Sequence, residues 1–204
     1  MGDLSASDNR AIRCLYFNKD LFTQNDIPFP YQSVRDGTWT HEKFFELVSL
    51  GGADLNGGGK TKEDEDLYGL YAQGSINANL FYSSGHQFVQ KDADGLLTVA
   101  FNNAESIDIL QHIADTLDLH KSAVLNTDDG NYLKHIADFA DNHSYFYAEV
   151  MIFIEHMRQY PFNVGIVPMP KYTEEQEHYC QFADGYCSSF AGFSTRFLMN
   201  PYRR

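Results

Sequence analysis

The chain has 204 residues, enough for one large domain or two small ones. Hydrophobic residues make up 43%, with 16 Phe, 13 Tyr and one Trp, which supplies a core and argues against disorder. Fifteen Lys and Arg against 28 Asp and Glu leave a formal charge of −13, and the only basic cluster is Arg203–Arg204, so nucleic acid is excluded as a partner.

The opening MGDLSASDNR is polar and acidic, unlike a secretory signal, and residues 1–11 read as a polar lead. IRCLYFN (Ile12 to Asn18) is short and apolar and reads as a buried strand. TWTHEKFFELVSL reads as a helix with Thr40 as N-cap, Glu42 in the first turn, and Trp39 and Phe44 at the two positions of a hydrophobic staple. LYGLYA alternates like a strand, and NANLFYSSGHQ reads as a helix ending near Gly85. FVQKDADGLLTVAF carries two extended runs around Asp92-Ala93-Asp94-Gly95, a hairpin signal.

NNAESIDILQHIADTLDLH places Ile107, Leu110, Ile113 or Ala114, and Leu117 on one helical stripe, with Asn103 as cap. NYLKHIADFADN repeats the pattern with Leu133, Ile136, Ala137 and Ala140, which puts His135 on the surface side. SYFYAE reads as a short strand, VMIFIEHMRQ as a largely apolar helix, and FNVGIVPMP as a buried strand closed by Pro168 and Pro170. Strands and helices interleave through mostly short connections, which gives an α/β class. No Pro/Gly/Ser-rich linker divides the chain, so residues 12–192 read as a single unit and 193–204 as an atypical tail.

DLNGGGKTKEDED is nearly a calcium loop. Counted from Asp54, oxygen ligands stand at Asp54 and Asn56, the turn glycine at Gly59, a backbone carbonyl at Lys60 and the closing acid at Glu65. The fifth position is Gly58, which brings no side-chain oxygen, and Thr61 replaces the usual apolar residue. A degenerate calcium site and a Gly-rich turn with Asp and Asn bonding the backbone are both open. No other cofactor is indicated.

Catalytic patterns are absent. His41, His86, His112, His120, His135, His143, His156 and His178 form no zinc motif. Ser84 and His86 lack the nucleophile elbow, and NGGGKT has Asp54 where a phosphate loop needs its first glycine. Asp128–Asp129 read as a solvated turn. Cys14, Cys180 and Cys187 match no zinc spacing; a Cys180–Cys187 bridge and buried thiols both remain open. No apolar run approaches the roughly 20 residues of a spanning helix, so no membrane insertion is expected. From these residues alone the chain is a binding or structural domain rather than an enzyme.

CLYFNKDLF (Cys14 to Phe22), continuing to IPFP, resembles a stretch of the maltose-binding-protein-like group of bacterial extracellular solute-binding proteins, family 1, which serve carbohydrate ABC transporters. DGTWTHEKF (Asp36 to Phe44) is similar to that family's GxWTWDxF helix start, and DLNGGGK followed by DLYGLY (Asp66 to Tyr71) to its DLNGDGK and YGL block. FNVGIVPMPKYTEEQEHYC (Phe162 to Cys180) is similar to its FGILPxPKYDEAQxxYY. These blocks occur in family order between Cys14 and Cys180.

The resemblance implies one lobe, the second, of a type II periplasmic-binding-protein fold, helix-rich around a small mixed sheet. It implies a substrate-binding component that closes a hinge over a sugar or oligosaccharide in an interlobe cleft and passes it to an ABC permease. The intact protein would be an extracellular or periplasmic lipoprotein, membrane-anchored, whereas this chain shows neither the signal peptide nor the other lobe. Cleft positions implied by the family are Gln73, Ser75, Asn77 and Asn79 after the YGLY strand, Glu149 after SYFY, and Asp184 and Tyr186 at the second hinge crossing. The rival readings are a stand-alone acidic protein-interaction domain and a calcium-stabilised structural domain.

Overall fold

The computed structural model describes residues 7–52 and 66–183. The calcium-like loop with Asp54, Asn56, Lys60 and Glu65 lies outside that description, as do Asp184, Tyr186 and the tail 193–204.

A short helix, α1 (Ser7–Arg10), leads into β1 (Arg13–Asn18), every residue of which is buried. Leu15 and Phe17 enter one core while Cys14 and Tyr16 enter another on the opposite face. A strand covered on both faces reads as a continuous apolar run rather than as an alternation. Asn18 then caps α2 (Lys19–Gln24), its side-chain oxygen accepting from the amides of Asp20 and Leu21 at 3.0 and 3.1 Å. α3 (Tyr31–Arg35) follows. Neither helix was expected, because pieces so short show no helical period.

α4 (His41–Val48) starts where the sequence places it. Thr40 accepts from the Lys43 amide at 3.3 Å, and the Trp39 and Phe44 rings meet edge to face at 5.8 Å. Trp39 also donates its Nε1–H to the Pro168 carbonyl at 2.9 Å, tying the helix entry to the last strand.

The chain continues through β2 (Tyr68–Ala72), α5 (Ile76–Ser83), the hairpin β3 (Val89–Lys91) and β4 (Leu97–Val99), and α6 (Ala104–Leu119). Asp92 closes the hairpin turn by accepting from the amides of Asp94 and Leu96. Asn103 caps α6 through the Ser106 amide at 2.9 Å. Then come β5 (Val124–Asn126), α7 (Tyr132–Ala140), β6 (Ser144–Val150), a 3-10 turn at Met151–Phe153, α8 (Ile154–Met157) and β7 (Val164–Val167).

The main sheet has the order β5-β2-β6-β1-β7, with β2 parallel to β5 and β6, and β1 antiparallel to both β6 and β7. The expected α/β class with a small mixed sheet therefore holds. Four strands end, and β1 begins, along one edge. Phe44, Phe45, Leu80, Phe81, Ile109 and Ile113 pack one face, and Ile136, Phe139 and Met157 the other. At Gly165 a Cβ would overlap the Phe17 ring, so β7 reaches β1 only with glycine there.

Several expectations need correction. Ile107 and Leu133 are 55% and 49% exposed, and Ala114 is exposed. In α6 the buried stripe is Ser106, Ile109 and Ile113, flanked by Leu110 and Leu117; in α7 it is His135, Ile136 and Phe139. Both stripes have helical spacing, and the neighbour decides between them. His135 is fully buried rather than on the surface, because its Nε2 meets Asp129 Oδ1 at 2.8 Å and its ring meets the edge of Tyr71. The apolar run after Glu149 makes only a 3-10 turn and one helical turn, since β6 extends to Val150 to pair with Arg13. Cys14 is a buried free thiol, whereas Cys180 is a free thiol that is only half-buried.

Candidate functional site

The edge where β2, β5 and β6 end carries a row of polar side chains. The register β1–β6 sets Arg13 opposite Val150 and Cys14 opposite Glu149; the register β2–β6 sets Ala72 beside Ala148. Arg13, Glu149 and Gln73 thus come from three adjacent strands. Arg13 Nη1 lies 2.8 Å from Glu149 Oε1 and donates to Gln73 Oε1 at 3.3 Å. Glu149 Oε1 also accepts from the Val150 amide at 2.8 Å. The pair's side chains are 9% and 2% exposed, so the strands hold both charges away from water. Burial beside this carboxylate pushes the Cys14 thiol up to about 12 and raises the Tyr147 hydroxyl as well. Cys14 is therefore an uncharged, unreactive thiol.

The next strand end is fastened to this row. Asp128 Oδ2 accepts from the Gly74 amide at 2.6 Å, and the Thr127 amide donates to the Ala72 carbonyl at 2.9 Å. Asn126 turns the loop by accepting from the Asp128 amide. Asp129 accepts from the Asn131 amide and from His135, and these bonds hold its carboxyl below the usual range. The Asp128–Asp129 pair is thus exposed but bonded, where the sequence suggested solvation alone. A cavity of about 190 Å³ opens here, walled by Gln73, Gly74, Ile76, Leu117, Lys121 and Asn126.

Of the residues that the sequence nominated, Gln73 and Glu149 are brought together through Arg13. Ser75 and Asn77 are exposed at the start of α5, and Ser75 makes no side-chain capping bond. Asn79 is 3% exposed on the inner side of α5, covered by this lobe itself. Asp184 and Tyr186 lie outside the described residues, and so do all the calcium-loop positions. Among the described residues no group of three or more His, Cys, Asp or Glu could hold a metal ion. Arg13, Asn126 and Asp128 were missed. The signal for Arg13 was present: it is the one charge in an otherwise apolar strand.

The chain also enters and leaves the described body at this edge. Arg13 donates its amide to the Phe182 carbonyl at 2.9 Å, and Ile12 bridges to Ala183. The amide of Met151 donates to the Ile12 carbonyl at 2.9 Å, which fixes the entry to the end of β6.

No protein-family model matches the chain, and no curated relative does. Solved structures do. One is the GacH receptor of Streptomyces glaucescens, solved unliganded and with acarbose, with a TM-score of 0.55 and 15% identity over 78% of this chain and 37% of that one. Another is the maltose/maltodextrin-binding domain MalE from Bdellovibrio bacteriovorus bound to maltotriose, at TM-score 0.56 and 21% identity with the same coverage. A cyclo/maltodextrin-binding protein complexed with maltotetraose matches at TM-score 0.53 and 17% identity, over 88% of this chain and 44% of that one. The chain therefore spans less than half the length of these proteins. Its described residues have the α/β fold of the matched part of these proteins, one lobe of a periplasmic-binding-protein fold.

Proposed function

We propose that the chain is one lobe of the substrate-binding component of an ABC importer, and that its strand edge forms one wall of a cleft for a sugar or oligosaccharide. The observation that carries this reading is the edge itself. Segments 11–13 and 182–183 lie side by side there, as two crossings to a second lobe would. Gln73, Ser75 and Asn77 follow the end of β2, and Asn126 ends β5, so amide- and hydroxyl-bearing residues cluster in sequence around that edge. Planar amides and hydroxyls match the hydroxyls of a sugar. The side chains would fix the ligand and leave its bonds intact, a non-catalytic role. Hand-over to a permease, and an extracellular or periplasmic location with a lipid anchor, belong to the same proposal; among the described residues no helix is long and apolar enough to cross a membrane.

A full two-lobed site of micromolar affinity corresponds to about 8 kcal/mol, so half its contacts give roughly 4 kcal/mol, a dissociation constant of about 1 mM. NMR titration of the chain with maltotriose and maltotetraose should move the Gln73, Ser75, Asn77 and Asn126 side-chain or amide signals at millimolar sugar. Shifts confined to other faces, or none with any neutral oligosaccharide, would refute the reading.

One observation favours the protein-interaction alternative. The β3–β4 hairpin exposes Leu96, Leu97 and Val99 at 65%, 73% and 64%. If docking is the role, Leu97→Ser should abolish partner binding and leave the sugar titration unchanged.

A further inference from the structure

A second concave region shares no residue with the strand edge. It runs between α4, α6 and the segment after β7 as two basins of about 510 and 540 Å³, with Tyr172 and Thr173 as their common wall. Volumes of roughly 300–1,000 Å³ are those of small-molecule pockets. In the first basin the Tyr172 ring stands edge-on to the imidazoles of His41 and His112, 5.5 Å from each, and Phe45 stacks on His120. Glu42 and Glu46 line this basin, while Glu105, Asp108 and Glu175 line the other. Among the described residues neither basin is lined by Lys or Arg; Lys43 reaches Glu46 only at an exposed pair.

The hydrogen-bond polarity of these walls can be worked out. His41 is 2% exposed, with Nε2 3.2 Å from Ser83 Oγ. The Ser83 hydroxyl donates its own proton to the Leu80 carbonyl at 2.9 Å, so its oxygen accepts from His41 Nε2–H. Burial keeps the imidazole neutral by pushing its pKa down to about 3. Nδ1 is therefore a lone-pair acceptor. Several hydroxyl and amide donors around the groove are spent on the protein. Ser84 donates to the Phe81 carbonyl and Thr116 to the His112 carbonyl, while Gln176 Nε2 donates to the carbonyls of Ser83 and His178. A bond from Thr173 holds the Glu175 carboxyl below its usual range. The groove is left with carboxylates, an acceptor nitrogen and aromatic edges, together with the imidazoles of His86, His112 and His120, of which His86 faces Glu105 at 3.6 Å.

We propose that this groove is a second binding site, for a linear aliphatic polyamine, with one ammonium in each basin and the alkyl segment crossing Tyr172. Each ammonium is a pure donor and meets carboxylates at both ends, Glu42 and Glu46 in one basin and Glu105, Asp108 and Glu175 in the other. The alkyl stretches cover the aromatic wall, and the internal ammonium of a triamine between them is left to water and the flanking carboxylates. The inference is independent of the strand-edge reading, and either can fail alone.

The test is calorimetric titration of the 204-residue chain with spermidine. The variants are Glu105→Gln/Asp108→Asn in the groove and Asp115→Asn/Asp118→Asn, which removes the same charge elsewhere on α6. Saturable one-site binding is expected, weakened about threefold to tenfold by the first variant and unchanged by the second. All four side chains are on exposed residues, so neither variant should disturb the fold. Absence of saturation, or equal losses in both variants, would reduce the effect to diffuse attraction by an acidic chain and overturn the proposal. Tighter binding of trilysine than of spermidine would overturn the polyamine assignment.

Discussion

The pair of Arg13 and Glu149 can be dissected by replacing it one side at a time. Arg13→Met removes a 2.8 Å ion pair whose partner carboxylate is 2% exposed. Glu149 keeps its bond from the Val150 amide but loses its guanidinium, so a charge is left in a region closed to water. Breaking a buried pair in this way costs about 3–5 kcal/mol, whereas replacing both partners by apolar residues of similar volume is often neutral. A domain of this size has roughly 5–15 kcal/mol to lose, so the single variant should be visibly weakened. Urea unfolding of wild type, Arg13→Met, Glu149→Leu and the double variant gives a complete cycle. The double variant should recover most of the loss from Arg13→Met. If that single change costs under about 1 kcal/mol, or the double variant loses the sum of the singles, the edge is not organised by this pair. Sugar titration of the double variant adds a functional readout, since Gln73 loses its Arg13 donor while the fold remains.

Gly165→Ala should cost about 1–3 kcal/mol, because its Cβ would enter the Phe17 ring; a melting temperature unchanged by the substitution would contradict the close β1–β7 approach. Asn103→Ala removes the α6 cap and should cost about 1 kcal/mol by urea midpoint, with no change in slope. His41 has a folded pKa lowered to about 3 by burial, below its unfolded value, so its contribution is fully present above that value and is lost as pH falls toward 3. Between pH 6.5 and 5 this amounts to about 2 kcal/mol, and His41→Gln should flatten that part of the stability profile; an unchanged slope would mean that the imidazole is not buried neutral. For the degenerate calcium loop, the missing oxygen at Gly58 leads us to expect no change in melting temperature on chelation. A bound site at a hundredfold excess over its dissociation constant would instead add about 2.7 kcal/mol.

Helix starts were legible because capping is local. Thr40 and Asn103 each accept from an amide three residues on, and nothing distant is needed to see it. Helix faces were less so: Ile107 and Ile109 lie on stripes of equal quality, and only the packing of α6 against α5 and the sheet selects Ile109. The same ambiguity misplaced His135, whose burial depends on an Asp129 carboxylate six residues back and a Tyr71 ring from another strand. At the candidate site, Gln73 and Glu149 were nominated by the family resemblance, after the YGLY and SYFY segments, and Glu149 lies within β6 rather than in a turn after it. Arg13, the residue that joins them, could not be linked to either, since its contacts span 60 and 136 positions of chain. Long-range registers are what a single sequence conceals.

That register also explains why the edge, rather than a helix face, gathers the polar row. β1 runs against both of its neighbours, so its first residue stands where β6 finishes, two residues beyond the end of β7. A parallel β1 would carry Arg13 to the opposite edge and leave Glu149 buried without it. The antiparallel insertion therefore does two things with one reversal. It supplies the cation that lets a carboxylate sit at the end of β6, and it brings the incoming chain at Ile12 beside the outgoing chain at Ala183. Any body attached through those two segments would pull directly on the strand that carries Arg13. Its position would then be coupled to Gln73 and Glu149 by hydrogen bonds already present in the lobe.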